Sequence, residues 1–484
     1  MHYSKNRFAV PVGTLLTLFL QAVLALFPKM ASAQVAPDVQ AYVRVDTIIL
    51  EGNRKTRPAL ILRELEFAAG DTLALATLAQ TLERNRLRIM NLNLFTSSTV
   101  SLDTVHAGAG LAVRFDLVEM WYLYPIPLFE LADRNFNVWW SEFNRSLKRV
   151  NYGISWTHLN LTGYADILKI NLNFGYSNRY EIVYERPWFN RRQTLGMRAA
   201  YGFSRTHEVA YRTDGNKQLF SVDQDVWQKK RYYANIGLQW RPKLLTEHAF
   251  ILEFHHNKIA DTITRIVNPD FFLNGASTQR HFSLVYRLTM DHRDIRPYPI
   301  SGWLAIFELR QNGLLPSDDL HLLRASAEFK KYFDFHPRLS LETVVKGRVG
   351  LPRRKPPFFN NQAMGYGNDL VRGYEFFVMD GLDYGLFRSS LHINLLNQVY
   401  NLGKIIPLKA FKVMPLKIYL SVNNDLGYAN DPFYGAGNPL SNRLLYGYGL
   451  GIDVIAFYNK VAKFEWSWKG TGGGGFFLNI NTGI

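Results

Sequence analysis

The 484-residue sequence predicts a mainly β fold, a transmembrane antiparallel β-barrel of about 16 strands behind one small α+β domain. Three observations predict it. Long stretches alternate apolar and polar residues with period two, the N-terminus reads as an export leader, and no later segment approaches the ~18 consecutive apolar residues of a spanning helix. Embedding in lipid therefore falls to strands, because only helices and closed barrels satisfy every backbone group there.

The leader comes first. Lys5 and Arg7 precede an apolar run from Phe8 to Phe27, and Ala31-Ser32-Ala33 stands before Gln34. That is the grammar of a signal peptide, residues 1–33, cleaved after Ala33. An uncleaved anchor helix is the alternative, and Pro11, Gly13 and Gln21 count against it.

Composition agrees with an exported membrane protein. A mean hydropathy of −0.12 excludes a helical membrane protein, whereas a barrel hides its apolar signal by alternation. Aromatic residues at 14% suit the girdles that flank a barrel's lipid band. The absence of cysteine excludes a disulfide framework and a thiolate metal site. The formal net charge is +16, of which the leader's Lys5, Arg7 and Lys29 supply three. The remaining basic residues are scattered over strands and loops, so no nucleic acid is expected. Lipid headgroup or lipopolysaccharide phosphate is the alternative to plain solvated loop charge.

From 41 to 118 the pattern is strand, helix, helix, strand, strand. Val43 to Leu50 alternates, Arg57 to Leu65 and Leu75 to Met90 have helical spacing, and alternation resumes at Val100-Ser101-Leu102 and Leu111 to Leu117. This is a small α+β domain. Residues 119–150 follow as a linker rich in Trp121, Tyr122, Tyr124, Trp139 and Trp140, expected as an interfacial belt.

The barrel is expected over 151–484. Leu168, Ile170, Leu172 and Phe174 share one face against Lys169, Asn171 and Asn173, and Tyr446, Tyr448, Leu450 and Ile452 oppose Gly447, Gly449 and Gly451. Strands are expected near 152–161, 166–176, 179–187, 193–204, 206–217, 231–241, 247–259, 278–290, 302–312, 321–334, 338–350, 385–397, 413–425, 443–454, 459–469 and 474–483. The eleventh and twelfth enclose a Gly/Pro/Asn-rich loop, 351–380, which is then the sixth extracellular one. It carries Val371-Arg372-Gly373-Tyr374. An arginine there cannot face lipid, and inside a lumen it requires a carboxylate. On the strand Leu416 to Leu426, the polar face carries Lys417, Ser421 and Asp425, which makes Asp425 the expected partner. His392, on the strand after the loop, is a second candidate on that lumen face and repels the arginine if protonated.

Val-Arg-Gly-Tyr in a long loop, followed by a strand ending Asn424-Asp425-Leu426-Gly427, resembles the BamA/TamA-type outer-membrane assembly-factor superfamily, which includes the two-partner secretion transporters. Asp291-His292-Arg293-Asp294 with Pro299 and Gly302 resembles that family's turn motif, Glu185 to Phe189 its early Pro-Trp-Phe strand end, and Phe477 to Ile484 its terminal strand. Glu51-Gly52-Asn53-Arg54-Lys55-Thr56, with Gly70-Asp71 and Asn91 to Phe95, resembles a POTRA domain. The resemblance implies a POTRA domain in the periplasm that binds clients by β-augmentation. It also implies a barrel that parts laterally between its first and last strands, here Tyr152 to Leu161 and Phe476 to Ile484. Relatives place a glutamate on the strand after the loop, where this chain reads Ser389-Ser390-Leu391-His392, so Arg372 is expected to depend on Asp425 alone.

Expected partners are unfolded outer-membrane protein clients or an exported substrate, together with outer-membrane lipids. Accessory lipoproteins serve relatives with several POTRA domains and stay open for a chain with one. No cofactor, metal or catalytic site is expected: no Gly-x-Ser-x-Gly elbow occurs, and His255, His256 and His281 lack a ligand constellation. Assembly of barrel clients, dedicated secretion or lipid transport, and passive conduction remain the competing functions.

Overall fold

The computed structural model describes residues 41–104, 110–131, 139–140, 144–190, 192–223, 225–336, 338–403, 413–456 and 460–481. The expected signal peptide and Ile484 lie outside the described residues.

The N-terminal domain runs β1 (Tyr42–Glu51), α1 (Pro58–Leu62), β2 (Thr72–Ala74), α2 (Leu78–Met90), β3 (Phe95–Thr104) and β4 (Gly110–Glu119). Its sheet order is β2-β1-β4-β3, with β1 parallel to β4. Pro58 starts α1 where a missing N–H costs nothing. In α2, Leu82 and Ile89 lie a heptad apart and enter a core with Val45, Leu60, Ile61, Val113 and Phe115. Asn85, buried between them, accepts from the Glu66 N–H at 2.7 Å and donates to the Thr81 carbonyl at 2.7 Å, so its polarity is satisfied. The short β2 was not expected from the sequence.

Sixteen antiparallel strands form the barrel wall: β5 (Leu123–Leu131), β6 (Val150–Leu159), β7 (Ile167–Gly175), β8 (Ser177–Arg186), β9 (Leu195–Thr206), then β12 (Lys229–Lys243), β13 (Thr246–Ile259), β14 (Thr278–Asp291), β15 (Gly302–Asn312), β16 (Leu322–His336), β17 (Leu339–Leu351), β20 (Asp383–Asn401), β21 (Val413–Asn430), β22 (Leu445–Ala456), β23 (Lys460–Lys469) and β24 (Gly474–Asn481). Among the described residues the intervening β10 (Glu208–Asp214) and β11 (Lys217–Val222) pair with each other alone as an outer hairpin, and β18 (Gln362–Met364) pairs β19 (Met379–Asp380) within the motif loop. On β22 the exposed face is Tyr446, Tyr448, Leu450 and Ile452, while Gly447, Gly449, Gly451 and Asp453 are buried. The apolar face points out, as a lipid-facing wall requires.

Two expectations are corrected, and they cancel in the count. The strand expected at 206–217 does not join the wall, since 208–214 pair with 217–222 instead, and the 119–150 segment, expected as a linker, supplies β5. Pro125 and Pro127 masked β5, because prolines argue against a strand unless it lies at an edge. The strand at 152–161 is therefore second in the wall, and the strands up to 204 run opposite to the expected direction. The motif loop still joins the eleventh and twelfth strands. Tyr122, expected in an interfacial belt, is instead buried in the N-terminal core.

Candidate functional site

The N-terminal domain sits on one end of the barrel through specific contacts. The Arg57 N–H donates to the Gly163 carbonyl at 3.0 Å, and the Thr56 hydroxyl meets Tyr122 Oη at 2.8 Å and the Asn160 amide at 3.0 Å. Arg241 forks onto Glu64 at 2.7 and 3.0 Å. Trp188 of the Pro187-Trp188 motif packs edge-on against Tyr164 at 4.8 Å and belongs to the domain's core. Between domain and barrel mouth lies a cavity of about 780 Å³, lined by Leu60, Leu92, Tyr124, Ile126, Lys169 and Lys460 among others.

The turn motif stands at this same end. Arg293 holds Asp291 with two bonds of 2.8 Å, and Arg296 adds a third at 3.1 Å. Asp294 accepts the Ile300 N–H at 3.2 Å, and burial pushes its carboxyl above the usual range despite the backbone N–H groups that face it. Pro299 follows Tyr298 in the segment leading back to the wall. Gly302, with φ of +96°, is required where a Cβ would lie 2.1 Å from the His292 carbonyl oxygen. Asn91 of the domain bonds both the Asp294 carbonyl, at 3.2 Å, and the Arg296 N–H, at 3.3 Å. The turn sends Tyr298 into the lumen, where its hydroxyl meets His392 Nδ1 at 2.9 Å and Asp453 Oδ2 at 3.0 Å.

The motif loop enters from the opposite end. Val371 and Tyr374 are buried with Met364, Met379, Leu386, Ala429 and Leu445 in one apolar seat. Glycines of the wall's inner face make room for the loop backbone: a Cβ on Gly447 would lie 1.9 Å from the Arg372 carbonyl oxygen, and one on Gly427 2.4 Å from Val371 Cγ2. Gly373, at φ +87°, passes the Trp468 backbone, whose carbonyl carbon would lie 2.6 Å from a Cβ there. Gly447 of β22 and Gly427 of β21 are thus the loop's berth.

Arg372 is clamped by three wall strands. Asp425 on β21 accepts twice, from the Arg372 backbone N–H at 2.9 Å and from Nη1 at 3.3 Å. Ser390 Oγ on β20 accepts from Nη2 at 3.0 Å, and Glu465 on β23 lies 3.2 Å from Nε. Asp425 is fully buried and Glu465 nearly so. Asn423 steadies Glu465 by donating at 3.3 Å.

Here the sequence reading missed one partner and misassigned another. Glu465 is the second carboxylate, and the sequence carries a signal for it: it is the acidic residue on the inward face of a strand, between Lys463 and Ser467. Ser390 stands on the strand after the motif loop, where this chain carries no glutamate, and still bonds the arginine. His392 is not a partner of Arg372, because it is engaged by Tyr298 and lies 3.7 Å from Asp453 and 3.8 Å from Glu342. On the loop, burial pushes the Glu375 carboxyl up to about 8, with the charges of Glu465 and Asp425 adding to the effect. His255 contacts Glu253 at 2.9 Å and stacks on His281 at 5.2 Å. Among the described residues, no group of three or more His, Asp or Glu could hold a metal.

The first expected gate strand is also corrected. The sheet ends at β5 and β24, so the seam lies between Leu123–Leu131 and Gly474–Asn481, and Tyr152 to Leu161 is one strand in from it. Across both prolines β5 keeps an unbroken register with β6 over its 9 residues. An unbroken antiparallel ladder needs the N–H groups of Tyr124, Ile126 and Leu128 toward β6. The nitrogens of Pro125 and Pro127, which carry no hydrogen, therefore face the seam.

Residues 160–382 match the Omp85 superfamily domain. The fold is similar to that of BamA from Haemophilus ducreyi lacking POTRA domains 1–3, at 14% identity and a TM-score of 0.51, covering 90% of this chain and 83% of that one. It is also similar to CdiB from Escherichia coli, at 13% identity and a TM-score of 0.55, covering 90% and 75% respectively. At these identities the likeness is one of fold. No curated protein matches the chain.

Proposed function

We propose that this barrel, which carries the Omp85 superfamily domain of bacterial outer-membrane proteins, inserts protein clients into that membrane, or passes them across it, by opening between β5 and β24. The carrying observation is the pair Pro125 and Pro127 on the seam edge. Each removes one donor from any ladder that closes the barrel, a loss of roughly 0.5–1.5 kcal/mol per hydrogen bond. An incoming client strand meets an edge that is already poorly paired, and the exchange of partners costs little. No covalent bond is made or broken.

The N-terminal domain, on the periplasmic side, presents β3 as an open sheet edge, since among the described residues β3 pairs with β4 alone. Such an edge takes up an extended client segment by backbone pairing with little sequence demand. Passage of a single exported substrate is the second reading, and the 780 Å³ cavity at the mouth favours it as an intake space. Partners in either case are unfolded or extended protein segments and outer-membrane lipid.

The test restores the donors. Pro125→Val with Pro127→Val should slow insertion of a reporter barrel into liposomes and raise the variant's melting temperature in detergent. A variant that gains stability yet inserts the reporter at the wild-type rate would remove the seam from the mechanism. Profiling the outer membrane after depletion separates general assembly, in which many barrels are lost, from dedicated secretion, in which one exported product is lost.

A further inference from the structure

At the end of the barrel away from the N-terminal domain, a second cavity of about 360 Å³ lies over the ends of β8, β9 and β12. It belongs neither to the Arg372 clamp nor to the seam. The outer hairpin β10–β11 covers it with Gln218 and Phe220, and the motif loop contributes Phe358, Phe359 and Gln362. Its volume falls in the range of ~300–1,000 Å³ typical of small-molecule sites.

The lining has a definite chemistry. Phe271, fully buried, stacks on Phe359 with ring centroids 5.7 Å apart and builds a flat apolar wall. Amides of Gln218 and Gln362 and the hydroxyl of Ser204 offer paired donors and acceptors. Lys229 places its ammonium 5.6 Å from the Phe359 ring centre, and among the described residues it forms no ion pair with a carboxylate. Arg179 and Arg205 add positive charge. The one acidic lining residue, Glu208, is already taken, by Arg149 at 2.6 Å and Tyr176 Oη at 2.5 Å. A cation facing a cavity whose only carboxylate is neutralised is a site for an anion.

We propose that this cavity binds an acidic saccharide, one or two sugar rings carrying phosphate or carboxylate. The charged group would sit at Lys229 with Arg179, the hydroxyls on Gln218 and Gln362, and a sugar's C–H face on Phe359. A simple inorganic anion would use the cations and leave the aromatic wall and amides without a role. A neutral sugar would leave Lys229 uncompensated. The same headgroup chemistry occurs on free acidic saccharides and on outer-leaflet glycolipids.

The test is calorimetric titration of the full-length protein in detergent with glucose 1-phosphate, glucose and inorganic phosphate in parallel. Glucose 1-phosphate should bind at least about tenfold more tightly than either fragment, a factor worth about 1.4 kcal/mol. Lys229→Gln should abolish that advantage, and Phe359→Leu should weaken the sugar phosphate while leaving inorganic phosphate unchanged. Phosphate binding as tightly as the sugar phosphate, equal binding to wild type and Lys229→Gln, or no binding at all would each overturn the assignment. Displacement of glucose 1-phosphate by dispersed lipid A assigns the saccharide to a glycolipid headgroup, and its persistence assigns it to a free saccharide, so both outcomes keep the site.

Discussion

The two sides of the seam are braced by different parts of the chain. On the β5 side, strands β5 to β9 rest on the N-terminal domain, whose core includes Tyr122, Leu159 and Trp188. On the β24 side, strands β20 to β23 are gripped from within by the motif loop, and Phe376 of that loop packs on Phe477 of β24 at 5.8 Å. One brace is external and mostly apolar, with many small contacts. The other is internal and concentrates on a single guanidinium. Each brace stiffens its own side of the seam, and the outer hairpin ties the two sides together, since the Asn216 N–H donates to Asn438 Oδ1 at 2.9 Å and its side-chain amide donates to the Val378 carbonyl at 3.1 Å.

Removal of the external brace is expected to have the largest effect. Deleting residues 41–118 should abolish insertion while the barrel remains heat-modifiable in detergent gels, since all sixteen wall strands begin after residue 118. Full activity of the truncated barrel would reduce the domain to a spacer.

Breaking the internal brace is the next largest effect. Arg372→Ala leaves Asp425 and Glu465 buried beside each other, which costs roughly 3 kcal/mol. Asp425 keeps its bond to the residue 372 N–H, so the loop is loosened rather than expelled. Arg372→Lys should recover only part, because one compact ammonium cannot reproduce the planar fork whose Nε, Nη1 and Nη2 reach three separate strands. The charge swap Arg372→Asp with Asp425→Arg should fail, since the new aspartate would face Glu465. Protease sensitivity of the 352–382 loop checks each variant, and a swap that restores wild-type resistance would show that Glu465 does not contribute.

Much of this asymmetry was legible in the sequence. The alternation, the motif loop and Asp425 follow from side-chain period and from the cost of an unpaired arginine. What was hidden is instructive. Strand β5 was hidden by its prolines, because a run with two prolines reads as a linker until one asks which edge could tolerate them. The hairpin at 208–222 alternates like a wall strand, and only its pairing excludes it. Glu465 and the Tyr298 contact depend on which strands curve to face one another, a property of closure that no local pattern encodes.

Tyr298 offers a milder way to sharpen the comparison. It runs from the turn that Asn91 of the domain holds to His392 and Asp453 on the clamped side of the wall, so it is a link between the two braces. Tyr298→Phe removes two hydrogen bonds while keeping the ring, for a loss of roughly 1–3 kcal/mol. Insertion by the variant should become less sensitive to Asn91→Ala than insertion by the wild type. Additive effects of the two substitutions would mean that the braces are independent.

The smallest expected effect concerns Glu375 and has a defined pH dependence. The folded state holds its carboxyl up near 8 against an ordinary 4.5, because burial disfavours the charged form and Glu465 and Asp425 add repulsion. Backbone hydrogen bonds at Glu375 and Gly373 oppose that shift without cancelling it. A raised carboxyl contributes stability that is complete below about pH 4.5 and is lost as the pH rises through 8. The docked loop should therefore be firmest in acid. Glu375→Gln, which stays neutral, should match the wild type in loop protection and melting temperature near pH 4.5 and exceed it at pH 8. A difference between the two proteins that is the same at both pH values would place its origin in packing and remove Glu375 from the account of the internal brace.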